Sequence, residues 1–293
     1  MSGANLVIGA AGTVGEHVVS ELVARGRHVR CVSRNAKQHS ECHAYSPSAV
    51  EWIDGDALDF GFVNEVCQGA SVVYNTAGIV DFSRRNTARM WEANVRLTAN
   101  IVEAALRNNT AQCHLSSVFA LGHPADGGNT VSEASLWTTA ERRSAYAKSM
   151  FRREMEIMRG MEEGAQAVIV EAGVVVGGAI FHHAMQLRGE LRQCNIPIVD
   201  ARDVAVAMVQ LVEHELFGDR YIAVAENISI GDMQKQYDAL AHHRLRRRWF
   251  NNSELALELR HNYTYPSDKL RSAIDMHFAP LQTSLHNAAQ TKL

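Results

Sequence analysis

Gly9, Gly12 and Gly15, set directly behind the apolar run Asn5-Leu-Val-Ile8, constrain this chain more than any other feature. Leu6, Val7 and Ile8 read as a buried parallel strand, and Val14, Val18, Val19, Leu22 and Val23 recur at helical spacing behind the glycines. The glycines therefore sit at a strand-to-helix turn. There, small residues let the backbone approach a pyrophosphate, whose charge the helix N-terminus stabilises. A ligand-free tight turn would use the same triplet, but the strand-turn-helix context favours a dinucleotide. Gly9, Ala11, Gly12, Thr13, Val14 and Gly15 are the candidate cradle residues.

Val29 to Ser33 reads as the second strand, and at its end an NAD site carries an acid for the ribose 2′-hydroxyl. This chain offers Ser33 and Arg34 instead. A carboxylate repels a 2′-phosphate, whereas a guanidinium grips it with paired charge-assisted hydrogen bonds, so NADP(H) is expected over NAD(H). The alternative for Arg34 is a solvated surface arginine, with Lys37 nearby in the same position of choice.

Strand-like runs recur at Leu6–Ile8, Val29–Val32, Val50–Ile53, Val72–Tyr74, Gln112–Leu115 and Ala167–Val170, with helical patterns between them. The longer helices are expected over 14–25, 88–107 and 140–161. That alternation predicts an α/β fold, a doubly wound parallel sheet of the Rossmann kind with helices on both faces. Residues 1–175 are expected to form the NADP(H)-binding domain. Residues 176–293 read as a small C-terminal cap interleaved with the last sheet elements: a helix near 180–192, another over 203–213, a strand near 221–224 and terminal helices. The stretch from Phe119 to Thr139, with Pro124, Gly127 and Gly128, reads as a loop bordering the cleft.

The chain's 293 residues and 46% hydrophobic content are ample for such a core. A net charge of -3 gives no general attraction to nucleic acid, and no apolar run reaches membrane-spanning length. The first strand opens by Asn5, so a cytoplasmic location is expected, or an organelle interior if a transit peptide has been removed. Five cysteines without a CxxC pair fit a reducing compartment, and His39, Cys42 and His43 lack a second ligand pair, so no metal is expected. The run Arg244-Leu-Arg-Arg-Arg248, followed by Trp249 and Phe250, reads as a solvated helix end, with docking of an acidic partner as the alternative.

Further along stand Gly55-Asp56-Ala57-Leu58-Asp59, Asn75-Thr76-Ala77-Gly78, Asn94 in the Asn94-Val-Arg-Leu-Thr-Ala-Asn100 segment, Ser116-Ser117 and Tyr146. With the glycine turn, these resemble the extended short-chain dehydrogenase/reductases of the NAD-dependent epimerase/dehydratase superfamily. Asp200-Ala-Arg-Asp203-Val-Ala and Tyr265-Pro-Ser-Asp-Lys269-Leu are most similar to its dihydroflavonol-reductase and 3β-hydroxysteroid-dehydrogenase branch. The resemblance spans nearly the full chain. It implies that Asp56 binds the adenine amine with Ala57 beside it, that Thr76, Ala77 and Gly78 line the ribose and pyrophosphate channel, and that Asn94 and Ser116 belong to the cofactor site. Asp56 as a turn cap and Asn94 as a bridge between backbone groups are the bland alternatives.

For catalysis the resemblance implies that Ser117 polarises a substrate carbonyl and Tyr146 passes the proton. The family's lysine, four residues after the tyrosine, is Met150 here. A thioether neither holds a ribose nor lowers a phenol's pKa from about 10. Lys148 points about 200° away around the helix, whereas position 150 lies about 40° from Tyr146, so a replacement cation would have to fold in from a loop. Only residues 178–199 separate Gly173-Val-Val-Val-Gly177 from Asp200, which curtails the substrate segment, and Ala172 replaces the family's proline. Two functions from different classes follow. One is an NADP(H)-dependent alcohol/ketone oxidoreductase acting on a small carbonyl compound. The other is a non-catalytic nucleotide-binding subunit of a larger protein complex, similar in kind to the NADPH-binding accessory subunit of respiratory complex I. A nucleotide-sugar epimerase or dehydratase is third.

Overall fold

The computed structural model describes residues 3–38, 45–46, 48–82, 86–124, 126–137, 142–240 and 253–290. The His39, Cys42 and His43 group and the basic run at 244–250 lie outside them. Among the described residues the strands are β1 (Ala4–Ile8), β2 (Val29–Ser33), β3 (Val50–Asp54), β4 (Ala70–Asn75), β5 (Ala111–Ser117), β6 (Ala167–Ala172), β7 (Val174–Val175), β8 (Asn195–Val199), β9 (Asp219–Ala223) and β10 (Glu226–Ser229). Seven make one parallel sheet in the order β3-β2-β1-β4-β5-β6-β9. The chain reverses its direction of travel between β1 and β4, and such a switch point opens a crevice at the carboxyl ends of the strands.

Helices cover both faces, as the alternation predicts. On one side α1 (Gly15–Ala24) packs, and on the other α2 (Phe60–Cys67) follows. Next come α3 (Thr87–Trp91), α4 (Leu97–Arg107) and α5 (Ala145–Glu162). A single π turn, Glu92–Arg96, joins α3 to α4 and puts one extra residue into what the sequence pattern reads as one helix. The start of α5 falls at Ala145 rather than 140, because the Ser144 hydroxyl caps it by accepting from the Ala147 N–H at 3.0 Å. Buried Arg143 donates to Glu258 at 2.8 Å and to the carbonyls of Phe119 and Leu121, which bolts this helix entrance to the cap.

The cap holds α6 (Ala179–Ala184), α8 (Ile230–Leu240), α9 (Ser253–Leu259) and α11 (Leu281–Gln290), while α7 (Ala201–Glu213) and α10 (Asp268–Ile274) pack beside α1 and β9. The helix expected over 180–192 is cut short. Gly189 takes a left-handed φ of +64°, and Gln234 satisfies the freed carbonyls of Ala184, Met185 and Leu187. The three-stranded sheet β10-β8-β7 is an addition to the elements read from the sequence, and its central strand contains Pro197, a residue that disfavours a central strand. It is accommodated because β7 pairs only with Ile198 and Val199, beyond the proline.

The sheet interior contains charge. Glu171 on β6 and Glu154 on α5 are both buried, and Arg220 from β9 lies 3.5 Å from the first and 3.2 Å from the second. Burial raises the pKa of Glu171 well above the carboxylate range and Glu154 adds to this, with Arg220 opposing. A carboxyl group with a raised folded-state pKa stabilises most in acid, and that stability is lost as pH rises through the raised value. Glu171→Gln should therefore flatten the stability profile: between about pH 5 and about pH 8 the parent loses more unfolding free energy than the variant. Urea titrations at each pH read this difference, and parallel profiles would show that Glu171 does not carry the extra proton.

Candidate functional site

At the switch point lies a cleft of about 340 Å³. Its walls include Gly9, Ala11, Gly12, Ser33, Arg34, Asp56, Ala57, Thr76, Ala77 and Gly78, so the structure gathers ten of the proposed cofactor residues around one volume. The other five stand elsewhere. Thr13 is exposed at the helix entrance and Val14 is buried in the core under α1. Gly15 is packed inside the turn, Ser116 donates to Glu154, and Asn94 lies behind the wall. Asn35, Arg89 and Glu92 join the lining without having been singled out, because nothing in their spacing ties them to the glycines.

The three glycines do different work. A Cβ on Gly9, whose φ is +89°, would sit 2.5 Å from the Ala77 nitrogen. One on Gly15 would sit 2.1 Å from the Gly9 carbonyl oxygen and 2.8 Å from Thr76 Oγ1. Both positions are closed by the fold itself. At Gly12 the only neighbour is the Gly9 carbonyl oxygen at 3.3 Å, and the residue faces the cleft. This open, glycine-lined entrance at a helix N-terminus fits a pyrophosphate.

The opposite wall is pinned by side chains. Asp56 Oδ1 accepts from the Leu58 N–H at 3.0 Å, so the turn-cap role is real, while the residue also lines the cleft. Asn100 donates to the carbonyls of Ala57 and Leu58. Asn94, on the π turn, accepts from the Ile79 N–H at 2.7 Å, donates to the Ile79 carbonyl at 3.0 Å, and donates to Ser149 Oγ at 3.0 Å. It thus bridges backbone groups, as its bland alternative held. Ser149 in turn donates to the Tyr146 carbonyl at 2.7 Å, which ties the cleft wall to the turn of α5 that carries Tyr146.

Ser117 and Tyr146 come together at the end of β5: the serine side chain is near enough to the phenol to act on its ionisation, and both residues are buried. Burial pushes the Tyr146 phenol above its ordinary value, while the Ser117 side chain and the charge of Arg153 pull it down. Around the phenol the surface is apolar. Phe82 lies 5.4 Å from it ring to ring, and Met150, Val118, Phe119 and Phe181 belong to the same buried cluster.

Met150 is buried there and brings no charge. A buried cation on the same helix is Arg153, which no motif points to. Its Nη1 donates to the Ala77 carbonyl at 2.6 Å and its Nη2 to the Asn75 carbonyl at 3.2 Å. The signal was available, since position 153 lies seven residues past Tyr146 and only about 20° around the helix from it.

The family model described as NAD dependent epimerase/dehydratase family matches residues 5–225. This chain belongs to that family. It is similar to sterol demethylase protein B of Methylococcus capsulatus, 27% identical over 254 residues covering 81% of this chain and 74% of the relative. It is also similar to human 3 beta-hydroxysteroid dehydrogenase type 7, 33% identical over 134 residues covering 42% of this chain and 36% of the relative. The solved UDP-glucuronic acid 4-epimerase of Bacillus cereus, in complex with NAD, shares the fold at a TM-score of 0.77 and 18% identity, covering 97% of this chain and 94% of that one. The family binds a nicotinamide cofactor and acts on small molecules. No helix among the described residues is long and apolar enough to cross a membrane, and none of their side chains form a group of three or more metal-ligand residues.

The different glycine environments give a sharp expectation. Gly12→Val keeps the fold and loses dinucleotide binding, because its branches fill the cleft entrance. Gly15→Ala destabilises by about 1–3 kcal/mol through overpacking inside the turn. Circular dichroism melts combined with cofactor titration separate the two, and a folded Gly12→Val protein with parental affinity would remove the cradle.

Proposed function

We propose that this chain binds NADP(H) in the switch-point cleft and interconverts a secondary alcohol and its ketone. The observation that carries this reading is that Ser117 and Tyr146 meet, buried, at the end of β5, with the turn of α5 that bears Tyr146 tied through Ser149 and Asn94 to Ile79 in the wall of the glycine-lined cleft. When bound, the cofactor supplies or accepts the hydride. Ser117 donates to the substrate oxygen and orients the carbonyl. Tyr146 holds the proton that this oxygen receives. Because burial keeps the phenol protonated near neutrality, reduction is the direction its resting state favours.

The apolar surroundings of Tyr146 favour a substrate whose carbonyl sits on a hydrophobic body, since they offer few partners for the hydroxyls of a sugar. A second reading, nucleotide-sugar epimerisation, is favoured by the family match and by the likeness to the Bacillus cereus epimerase. It would use the same two hydroxyls and demand hydride return to the opposite face of the substrate. Non-catalytic retention of the nucleotide within a protein complex draws on Met150 at the family's lysine position.

A panel of apolar ketones and UDP-sugars tests these readings against the parent and Tyr146→Phe. Reduction of an apolar ketone, lost at least a hundredfold in the variant, is expected. Turnover confined to UDP-sugars selects the epimerase, and tight binding without any turnover selects the structural role.

Arg34 lines the cleft at the end of β2 with Ser33 beside it, which supports the 2′-phosphate assignment. NADPH should bind more tightly than NADH, and Arg34→Ala should cost NADPH about 1.5–3 kcal/mol while leaving NADH near its parental affinity. Calorimetric titration of both cofactors reads this. Equal affinities in the parent would assign the site to NAD(H), the cofactor in the Bacillus cereus complex.

A further inference from the structure

We propose that Arg153 supplies to the Ser117–Tyr146 pair, from two helical turns away, the positive charge that position 150 lacks. Resting on the reading of Tyr146 as the proton-handling group, it makes Arg153 a positioning residue that acts through that phenol.

Four observations carry it. Positions 146 and 153 share one face of α5, separated by about 10 Å along the axis. Helical side chains lean toward the N-terminus, and a long guanidinium arm shortens that separation. The head is fixed at Ala77 and Asn75, the carboxyl end of β4, where the cleft begins. Gly78 lets it in: a Cβ there would lie 3.2 Å from Arg153 Nη1.

The charge is also left to act at a distance. Arg153 is buried, its Nε finds no hydrogen-bond partner, and among the described residues it makes no ion pair within contact distance. Carbonyl oxygens accept from its two terminal nitrogens without cancelling its field. Burial lowers its pKa to about 10, so it stays protonated near neutrality. The titratable groups that feel it are Tyr146 and Glu154 on its own helix and His114 from β5. Burial holds His114 neutral, and the Arg153 charge reinforces this. Behind Phe82, His183 of α6 faces the same aromatic group from the cap.

A purely structural arginine would tie down the end of β4 and leave the phenol's titration alone. The readout is therefore Tyr146 itself, in cofactor-free protein. Biosynthetic meta-fluorotyrosine lowers every phenol's pKa into an accessible range and gives each tyrosine its own fluorine resonance, with Tyr146→Phe assigning the one of interest. Arg153→Gln keeps an amide donor but no charge. It should raise the Tyr146 midpoint by about one pH unit or more. Met150→Lys in the Arg153→Gln background returns a cation to the same helix face and should bring the midpoint back to within half a unit of the parent's, which a carbonyl-tying role would not do.

A folded Arg153→Gln protein with an unmoved midpoint overturns the proposal. If the single variant does not fold, the double variant decides: a midpoint near the parent's supports the proposal, and one a full unit or more above it overturns it. Since the titration needs neither cofactor nor turnover, its outcome is separate from that of the substrate panel. A protein without activity on any ketone would still show whether Arg153 governs the phenol, and an active one with an insensitive phenol would lose only this inference.

Discussion

Gly15 meets the Gly9 carbonyl and the Thr76 hydroxyl with no space for a methyl group, and the site depends on that contact. It brings the end of β1, the start of α1 and the end of β4 to one point, so three elements terminate together at the switch of strand order. Thr76 reinforces the junction, its N–H and hydroxyl both donating to the Ile8 carbonyl at 2.9 and 3.1 Å. Once the junction closes, Gly12 has nowhere to face except the cleft. In the proposed cradle, recognition of a pyrophosphate would follow from a packing requirement between backbones, not from a dedicated side chain.

The other half of the site hangs on one helix. α5 is held at its entrance by Arg143 and Glu258, and its periodicity distributes distinct tasks along a single face. Tyr146 reaches Ser117, Ser149 reaches Asn94, Arg153 reaches the end of β4, and Glu154 reaches Ser116 and Arg220. Neighbouring turns of the helix thus connect phenol, cleft wall and sheet interior through hydrogen bonds whose partners are buried or half-buried. Such a network fixes geometry tightly, because every group that moved would leave a partner unsatisfied in low dielectric.

Six strands of the main sheet were legible because each is a short, largely apolar run bounded by turn residues, while β9, which opens on Asp219 and Arg220, was legible only as a strand within the C-terminal segment. The glycine spacing located the cleft, and ten of the residues that wall it were recognised from motifs at fixed distance from the strands. What escaped was three-dimensional coincidence. The π turn at Glu92–Arg96 adds one residue without any change in the apolar pattern, and it is this turn that aims Asn94 at Ile79. Ser116 was assigned to the site as the neighbour of Ser117, yet adjacent strand residues face opposite ways, and its hydroxyl serves Glu154 instead. Arg153 lies outside the family pattern, which places its cation one turn past Tyr146, whereas this one stands two turns on. β8 was hidden by Pro197, whose missing N–H is harmless only because its neighbour β7 is two residues long.

Arg220 enters the interior on β9, an outer strand of the sheet and the last of its seven in chain order. The two glutamates it answers belong to β6 and α5, which are complete by Ala172, well before Asp219 begins β9. Docking of that strand consequently brings the two buried carboxyl groups their cationic partner in the same step of assembly. A foreign strand laid along β6, from a second molecule or from a misregistered segment, would pair its backbone but strand two carboxyl groups in a dry interior unless it carried a cation at the matching position. The charge inside the sheet acts as a lock that only one segment of the chain is cut to open, guarding the edge of β6 against exchange.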